Sequence, residues 1–167
     1  MEKEKSRIFM KATLTPQQVY TTYECRPVTQ EDIADCALLM LEAYKGTIDY
    51  EGETLEDARR EIKAIFNGAY GKILQSCSFL QKEKNQVRSA CFVTFYEKLQ
   101  LPLVAVMMTH PRYKNQGLGT QVLKTSMNAL LDEGYTELCL VVTEGNLPAY
   151  TLYTTVGFSK MDEKQVK

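Results

Sequence analysis

The sequence predicts an α/β (α+β) domain: one mixed sheet of about six to seven strands, with about four helices covering both faces. Three observations predict it. Short apolar runs with strand character, at 23–28, 73–80, 87–96, 101–109 and 137–143, are interspersed with segments of helical spacing. Only the polar Lys82-Glu83-Lys84-Asn85 segment separates 73–80 from 87–96, which suits a hairpin turn and antiparallel pairing. Strand 101–109, helix 117–132 and strand 137–143 then follow in βαβ order, implying a right-handed crossover and parallel pairing.

Residues 1–20 read as an N-terminal extension to a domain spanning 21–167, and Ile8, Met10 and Ala12 lie on one face of a strand that stops at Thr15-Pro16. Strand 23–28 runs into Thr29, which caps a helix with Asp32 answering it. Ile33, Ala37, Met40, Leu41 and Tyr44 give that helix a core-facing stripe, and Gly46 ends it. Thr54 caps a second helix carrying Leu55, Ala58, Ile62, Ile65 and Phe66, which Asn67-Gly68 stops. The run 101–109 has almost no polar alternation, so it reads as a strand covered on both faces near the sheet centre. The helix from Gly117 to Asp132 turns Leu118, Val122, Ala129 and Leu130 inward and ends at Gly134. After 137–143, Asn146 caps a last short helix with Pro148 in its first turn and Gly157 at its close, before 158–161.

At 167 residues the chain has the length of one domain, and such a domain buries roughly two-thirds of the surface its unfolded form exposes. Hydrophobic residues at 44% and charged residues at 25% sit near soluble averages, which excludes disordered and fibrous classes. The net charge of −1 with scattered cations argues against a nucleic-acid partner; Lys3, Lys5 and Arg7 form only a loose basic run. Five cysteines, Cys25, Cys36, Cys77, Cys91 and Cys139, fall mostly in apolar segments without a C-x-x-C pair, and read as buried thiols rather than metal ligands. The longest apolar stretch, around Leu103 to Met108, is far too short for a membrane span. A cytoplasmic location is the expectation.

The informative segment is His110 to Thr120, between a buried strand and a helix. Gly117 and Gly119 let backbone approach a ligand closely, and the free N–H groups of a first helical turn, with the helix dipole behind them, suit a phosphate. The Walker pattern fails for want of Gly-Lys-Ser/Thr, and the dinucleotide pattern fails because no third glycine follows Gly119.

This loop, Lys114-Asn115-Gln116-Gly117-Leu118-Gly119, resembles the Gln/Arg-x-x-Gly-x-Gly/Ala phosphate loop of the GNAT superfamily of N-acetyltransferases. It departs at Lys114, where the family prefers Gln or Arg; backbone donors do most of the holding there, so a lysine keeps the site. Downstream, Asn146-Leu147-Pro148-Ala149-Tyr150-Thr151-Leu152-Tyr153 with Gly157-Phe158 resembles the Asn-x-x-Ala-x-x-Leu-Tyr…Gly-Phe segment of the same enzymes. The resemblance spans about 23–161 and implies two central parallel strands, 101–109 and 137–143, splayed to admit acetyl-CoA. It implies that Met107, Met108 and Thr109 offer main-chain groups to the pantetheine, that Lys114, Asn115, Gln116, Gly117, Leu118, Gly119 and Thr120 bind the pyrophosphate, and that Asn146 meets the arm from the other side. Only nine residues follow Phe158, so the family's last strand is missing, supplied by the N-terminal extension, or donated by a second subunit in a homodimer.

The implied reaction moves an acetyl group to a primary amine on a small molecule or peptide. Tyr153 is the implied general acid to the thiolate, being a phenol protonated at neutral pH, and a main-chain N–H at Met108 is the expected oxyanion donor. Some base, or a water chain, is expected for the amine, and Glu97, Glu144, Asp49 and Glu51 stand as candidates among which the sequence does not choose. His110, the only histidine, reads as structural or solvent-facing. The acidic loop carrying Asp49, Tyr50 and Glu51 lies where the family builds its acceptor pocket and favours a cationic amine. A non-catalytic acyl-CoA sensor or assembly module on the same fold is the alternative, against which Tyr153 argues.

Overall fold

A computed structural model describes residues 5–20, 22–162 and 164; Lys3 of the basic run lies outside them. The elements are β1 (Arg7–Thr13), β2 (Cys25–Pro27), α1 (Ile33–Tyr44), α2 (Leu55–Phe66), β3 (Lys72–Ile73), β4 (Phe79–Glu83), β5 (Gln86–Tyr96), β6 (Leu101–Thr109), α3 (Leu118–Asp132), β7 (Glu137–Thr143), α4 (Leu147–Val156) and β8 (Ser159–Lys160). They build one mixed sheet in the order β2-β4-β5-β6-β7-β1-β8, with β3 also on β5. Only β6 and β7 pair in parallel.

Each face of the sheet carries a helix pair and a core. Ile62, Ile65 and Phe66 of α2 and Cys36, Ala37 and Met40 of α1 cluster with Leu80, Ala90, Phe92, Val106 and Met108. Val122, Leu123, Met127 and Leu130 of α3 and Tyr153 and Val156 of α4 cluster with Met10, Cys91, Val93, Val104 and Leu140 on the other face. Alternation along β5 explains the division, since Ala90 and Phe92 face one way and Cys91 and Val93 the other. On β6 the parity flips between Val104 and Val106. The register shifts there, with Phe92 opposite Val106 but Val93 opposite Val104, so Ala105 is an extra residue and re-aims the strand.

Several sequence expectations change. The run 73–80 is two short strands broken by a 3-10 turn at Gln75–Cys77, because Ser78 Oγ donates to Leu74 O at 2.9 Å and accepts from Val93 N–H at 2.8 Å in place of ladder bonds. The hairpin itself turns at Lys84 and Asn85, both with positive φ, so it needs only those two residues. Strand 23–28 shrinks to Cys25–Pro27, and the last strand to Ser159–Lys160. Of the α1 stripe, Ala37 and Met40 are buried, while Ile33, Leu41 and Tyr44 are half-buried and Cys36, Leu39 and Ala43 fill the core instead. The run Leu101–Thr109 is not uniformly covered: every second residue is only half-buried.

The N-terminal extension contributes β1, which pairs antiparallel with β7 from Arg7 opposite Thr143 to Thr13 opposite Glu137. Met10 and Ala12 are buried there, and β8 pairs on its outer side. All five cysteines are free thiols, and Cys25 alone is not buried. No helix among the described residues is long and apolar enough to cross a membrane.

Candidate active site

The site begins as a defect in the sheet. β6 and β7 pair at Leu103 with Cys139 and at Val104 with Leu140, and no further. Beyond that point both strands continue, to Thr109 and Thr143, with a gap between them. Ladder parity says which main-chain groups face it. His110 N–H donates to Arg88 O at 2.8 Å, and hydrogen-bonded pairs recur every second residue, so Val106 and Met108 turn their amides toward β5. Ser89 Oγ and Thr109 Oγ1 lie 2.9 Å apart, as a close non-hydrogen-bonded pair should. The Met108 amide expected to meet the oxyanion is therefore turned away, and those of Met107 and Thr109 face the gap. On the opposite wall Glu144 N–H donates to Ser6 O at 2.8 Å, which by the same parity leaves Val141 and Thr143 facing inward.

At the wide end of the gap lies the glycine loop. Pro111–Tyr113 forms a 3-10 turn capped by His110, whose Nδ1 accepts from Arg112 N–H at 3.1 Å, a structural duty for the lone histidine. Gly117 takes φ 80° as the residue preceding α3, a left-handed conformation that glycine adopts without strain. Gln121 is the first residue of α3 to donate back, to Gly117 O at 3.0 Å. The amides of residues 115–120 meet no acceptor among the described residues. A Cβ on Gly119 would lie 3.0 Å from Thr109 Oγ1 and 3.3 Å from Met107 Cε, so the helix start sits hard against the end of β6. Free amides, a helix dipole and close backbone approach fit a diphosphate.

Two cavities meet in the gap. One, about 510 Å³, runs from the glycine loop along Met107, Met108 and Thr109 to Asn146 and Tyr153; Lys114, Asn115, Leu118, Gly119 and Thr120 line it, while Gln116 does not and instead accepts from Tyr23 Oη through its carbonyl at 2.9 Å. The other, about 820 Å³, lies between α1, α2 and the diverging strands, and Asp49, Tyr50 and Glu51 line it. Tyr44, Met107, Asn146, Ala149 and Tyr153 border both. Tyr153 is 8% exposed, packs edge-on against Phe158 with centroids 5.7 Å apart, and its hydroxyl has no hydrogen-bond partner among the described residues. Burial pushes its phenol well above the ordinary value.

The candidate bases separate by position. Glu97 sits in the turn before β6, at the strand end remote from the gap, where its carboxylate and carbonyl accept from Gln100 Nε2. Its side chain lines neither cavity, which removes it from contention as a base. Glu144 is exposed just past β7 and lines neither cavity either. Asp49 and Glu51 line the larger one with Glu53 of the same acidic loop, and so do Asp57 and Glu61, which sequence reasoning did not single out. Asp49 Oδ2 accepts from Asn146 Nδ2 at 3.3 Å, tying the acidic loop to the residue preceding α4. Tyr44 was also missed, since its helical spacing marked it as core. Its phenol is pushed up to about 12 by burial and then by the charge of Asp49.

The family model described as FR47-like protein matches residues 86–166. A GCN5-related N-acetyltransferase from Sphaerobacter thermophilus superposes with a TM-score of 0.69 at 14% identity, over 93% of this chain and 48% of that one, so the chain spans about half its length. PaiA N-acetyltransferase from Thermoplasma acidophilum, solved with coenzyme A, gives 0.69 at 19% identity over 83% of this chain and 91% of that one. The ribosomal-protein-S18-alanine N-acetyltransferase from Escherichia coli gives 0.65 at 16% identity over 83% and 79%. No curated protein matches the sequence. At these identities the structural likeness establishes the fold, which is that of the GNAT acetyltransferases on which the chain superposes, and the FR47-like match covers the segment, just under half of the chain, that carries both motifs.

Proposed function

We propose that the chain is an N-acetyltransferase that moves an acetyl group from acetyl-CoA to a primary amine, on a small molecule or peptide, by direct attack in a ternary complex. One observation carries the reading: a cavity ending on unpartnered main-chain amides and a second cavity lined by acids converge on the same unpartnered phenol, Tyr153. Acetyl-CoA would supply the thioester carbon that the amine attacks. The amides of residues 115–120 and the Lys114 side chain would hold its diphosphate. Amides of Met107 and Thr109, facing the gap, would receive the pantetheine arm and the carbonyl oxygen as negative charge develops there. Asn146 would meet the arm from the opposite wall.

Tyr153 would donate to the departing sulfur. A raised phenol pKa makes outright proton transfer harder, yet the thiolate forms in the same poorly solvated junction, where its own proton affinity also rises. The hydroxyl is thus a hydrogen-bond donor throughout and a proton source once charge has built on sulfur. A lysine-like amine with pKa about 10.4 is neutral in roughly one molecule in a few thousand at pH 7, so a base or a water chain has to carry its proton away. The larger cavity holds five, Asp49, Glu51, Glu53, Asp57 and Glu61, against the cations Lys5, Arg7 and Arg60, and so favours an amine arriving as a cation.

A cytoplasmic location, where thiols stay reduced, and homodimerisation through a sheet edge belong to the same proposal; sedimentation equilibrium tests the second. For the activity, thiol release from acetyl-CoA is followed across polyamines, amino acids, aminoglycosides and peptide N-termini. Turnover on at least one class is expected. Acetyl-CoA binding, seen as a raised melting temperature, without turnover on any amine would make the chain a sensor instead.

A further inference from the structure

We infer that Asp49 is the carboxylate that takes the proton from the acceptor amine as the C–N bond forms, and that Asn146 is the residue that positions it at the junction of the two cavities. The inference rests on the acyl transfer proposed above and assigns the group which that reading leaves open.

Asn146 faces two ways. Its Oδ1 accepts from Ala149 N–H at 3.4 Å, capping the helix that carries Tyr153, and this leaves its Nδ2 to donate to Asp49 Oδ2 at 3.3 Å. The loop holding Asp49 is itself docked: Asp49 N–H donates to Thr47 Oγ1 at 3.3 Å, and Thr47 Oγ1 donates to Tyr44 O at 2.8 Å. Asp49 Oδ1 has no partner among the described residues, and the side chain lines the same cavity as Tyr153. The other acids of that cavity are engaged elsewhere. Glu51 lies 3.9 Å from Lys5, and Glu53 accepts from the Glu51 amide at 2.9 Å. Asp57 caps α2 through Thr54, and Glu61 accepts from the Tyr70 hydroxyl. Asp49 alone among them is hydrogen-bonded to a residue that borders both cavities.

The chemistry suits a weak base in this place. An ammonium does not attack, so the amine first gives one proton to solvent water and adds in its neutral form to the carbonyl carbon; once that bond forms, the nitrogen becomes strongly acidic and even a carboxylate, Asp49, can accept its second proton. The C–S bond breaks with its electron pair going to sulfur, which takes a proton from Tyr153. Asp49 then releases its proton to water, from which Tyr153 is reprotonated, and amide and free thiol are the products.

The test uses the full chain with acetyl-CoA, the amine it turns over fastest, and that amine's fluorinated, less basic analogue. Asp49→Asn should lower kcat on the basic amine by about 10²-fold, the scale of general base catalysis, while KM for acetyl-CoA moves less than about twofold. Asp49→Glu should recover at least about tenfold. The loss should shrink below about tenfold on the fluorinated amine, whose adduct sheds its proton to water unaided; a merely structural role would lower both equally. Asn146→Ser keeps a helix cap but removes the donor, and combined with Asp49→Asn it should lower kcat at saturating acetyl-CoA little beyond the Asp49 change alone, any loss of contact with the pantetheine arm being read in KM for acetyl-CoA. Unimpaired Asp49→Asn in an active wild-type background, equal losses on both amines, or additive effects of the two substitutions would each overturn the assignment alone. A wild-type chain that turns over no amine overturns the transfer reading and this inference together.

Discussion

Replacing Tyr153 by phenylalanine separates catalysis from stability by sign. The ring packs against Phe158 at 5.7 Å and belongs to the α3–α4 core, and phenylalanine keeps that packing. The hydroxyl is different: it bonds to nothing among the described residues yet is not among their fully buried, unpartnered polar atoms, so it stays in touch with the cavities and its removal breaks no protein hydrogen bond. A buried hydroxyl without a partner costs about 1–3 kcal/mol, less where water in the adjoining cavity reaches it, so the variant should be between unchanged and about 1 kcal/mol more stable. For a domain of this size that is a rise of at most about 4 °C in melting temperature. Hydrogen bonds to a charged partner are worth about 1.5–3 kcal/mol, so loss of the donor to the departing thiolate should lower kcat by about 10- to 150-fold. KM for acetyl-CoA should hold within about threefold. Thiol release at saturating amine and a thermal melt measure the pair. A variant with wild-type kcat, or one that melts more than about 3 °C below wild type, refutes the reasoning, because the hydroxyl would then be idle or structural.

Gly71→Ala should cost about 3 kcal/mol in urea unfolding, because at φ 101° a new Cβ would stand 2.0 Å from Phe95 O, an immovable main-chain atom; a loss under about 1 kcal/mol contradicts the close approach of that turn to β5. Asp32→Asn should cost about 2 kcal/mol near neutral pH. Burial works against the Asp32 charge, but the Arg26 guanidinium at 2.7 Å and the Thr29 amide at 2.8 Å outweigh it and hold the carboxyl below its usual range, so the wild-type advantage is full above about pH 4 and fades in more acid solution. Burial also pushes Cys36, Cys77 and Cys91 up to about 12 and Cys139 to about 11, from an ordinary 9.0. Above about pH 9 the unfolded chain sheds thiol protons that the native state keeps, so stability should fall by about 1.4 kcal/mol per thiol per pH unit; a melting temperature flat from about pH 8 to 10.5 would contradict that burial.

The parts legible in the sequence are those fixed by local chemistry. The Thr54 capping box opens α2 with the Asp57 carboxylate 2.9 Å from Thr54 N, Asn146 caps α4, and Gly117 marks the entry to α3. The βαβ order gave the parallel pair β6 and β7. What local pattern could not give is parity and partnership. A bulge at Ala105 reverses which face each β6 side chain occupies, and nothing in an unbroken apolar run announces one inserted residue. The same blindness put the oxyanion donor on Met108, because which amide faces the gap depends on a register with β5 that only the His110 to Arg88 bond reveals. The larger cavity gathers Lys5, Tyr44, Asp49, Glu61, Met107 and Tyr153 from six separate segments, so its acids could be suspected from composition but not ranked.

The persistence of the gap follows from the neighbours of its walls. Two parallel strands with free main-chain groups ordinarily zip together, since each unmade hydrogen bond between them forgoes about 0.5–1.5 kcal/mol. Here β6 is held on its far side by β5 from Leu101 to Thr109, and β7 by β1 from Glu137 to Thr143. Closing the gap would require one of those antiparallel ladders to shear, losing more bonds than the closure gains. The Ala105 bulge adds twist to β6 where the divergence begins. β1 is therefore more than an appendage to the domain: as the outer partner of β7 it holds one wall of the site open. Shortening the chain from its N-terminus past Thr13 should therefore free β7 to close onto β6 and cover the amides of Met107 and Thr109, and acetyl-CoA should no longer raise the melting temperature even where β5 and α3 remain folded.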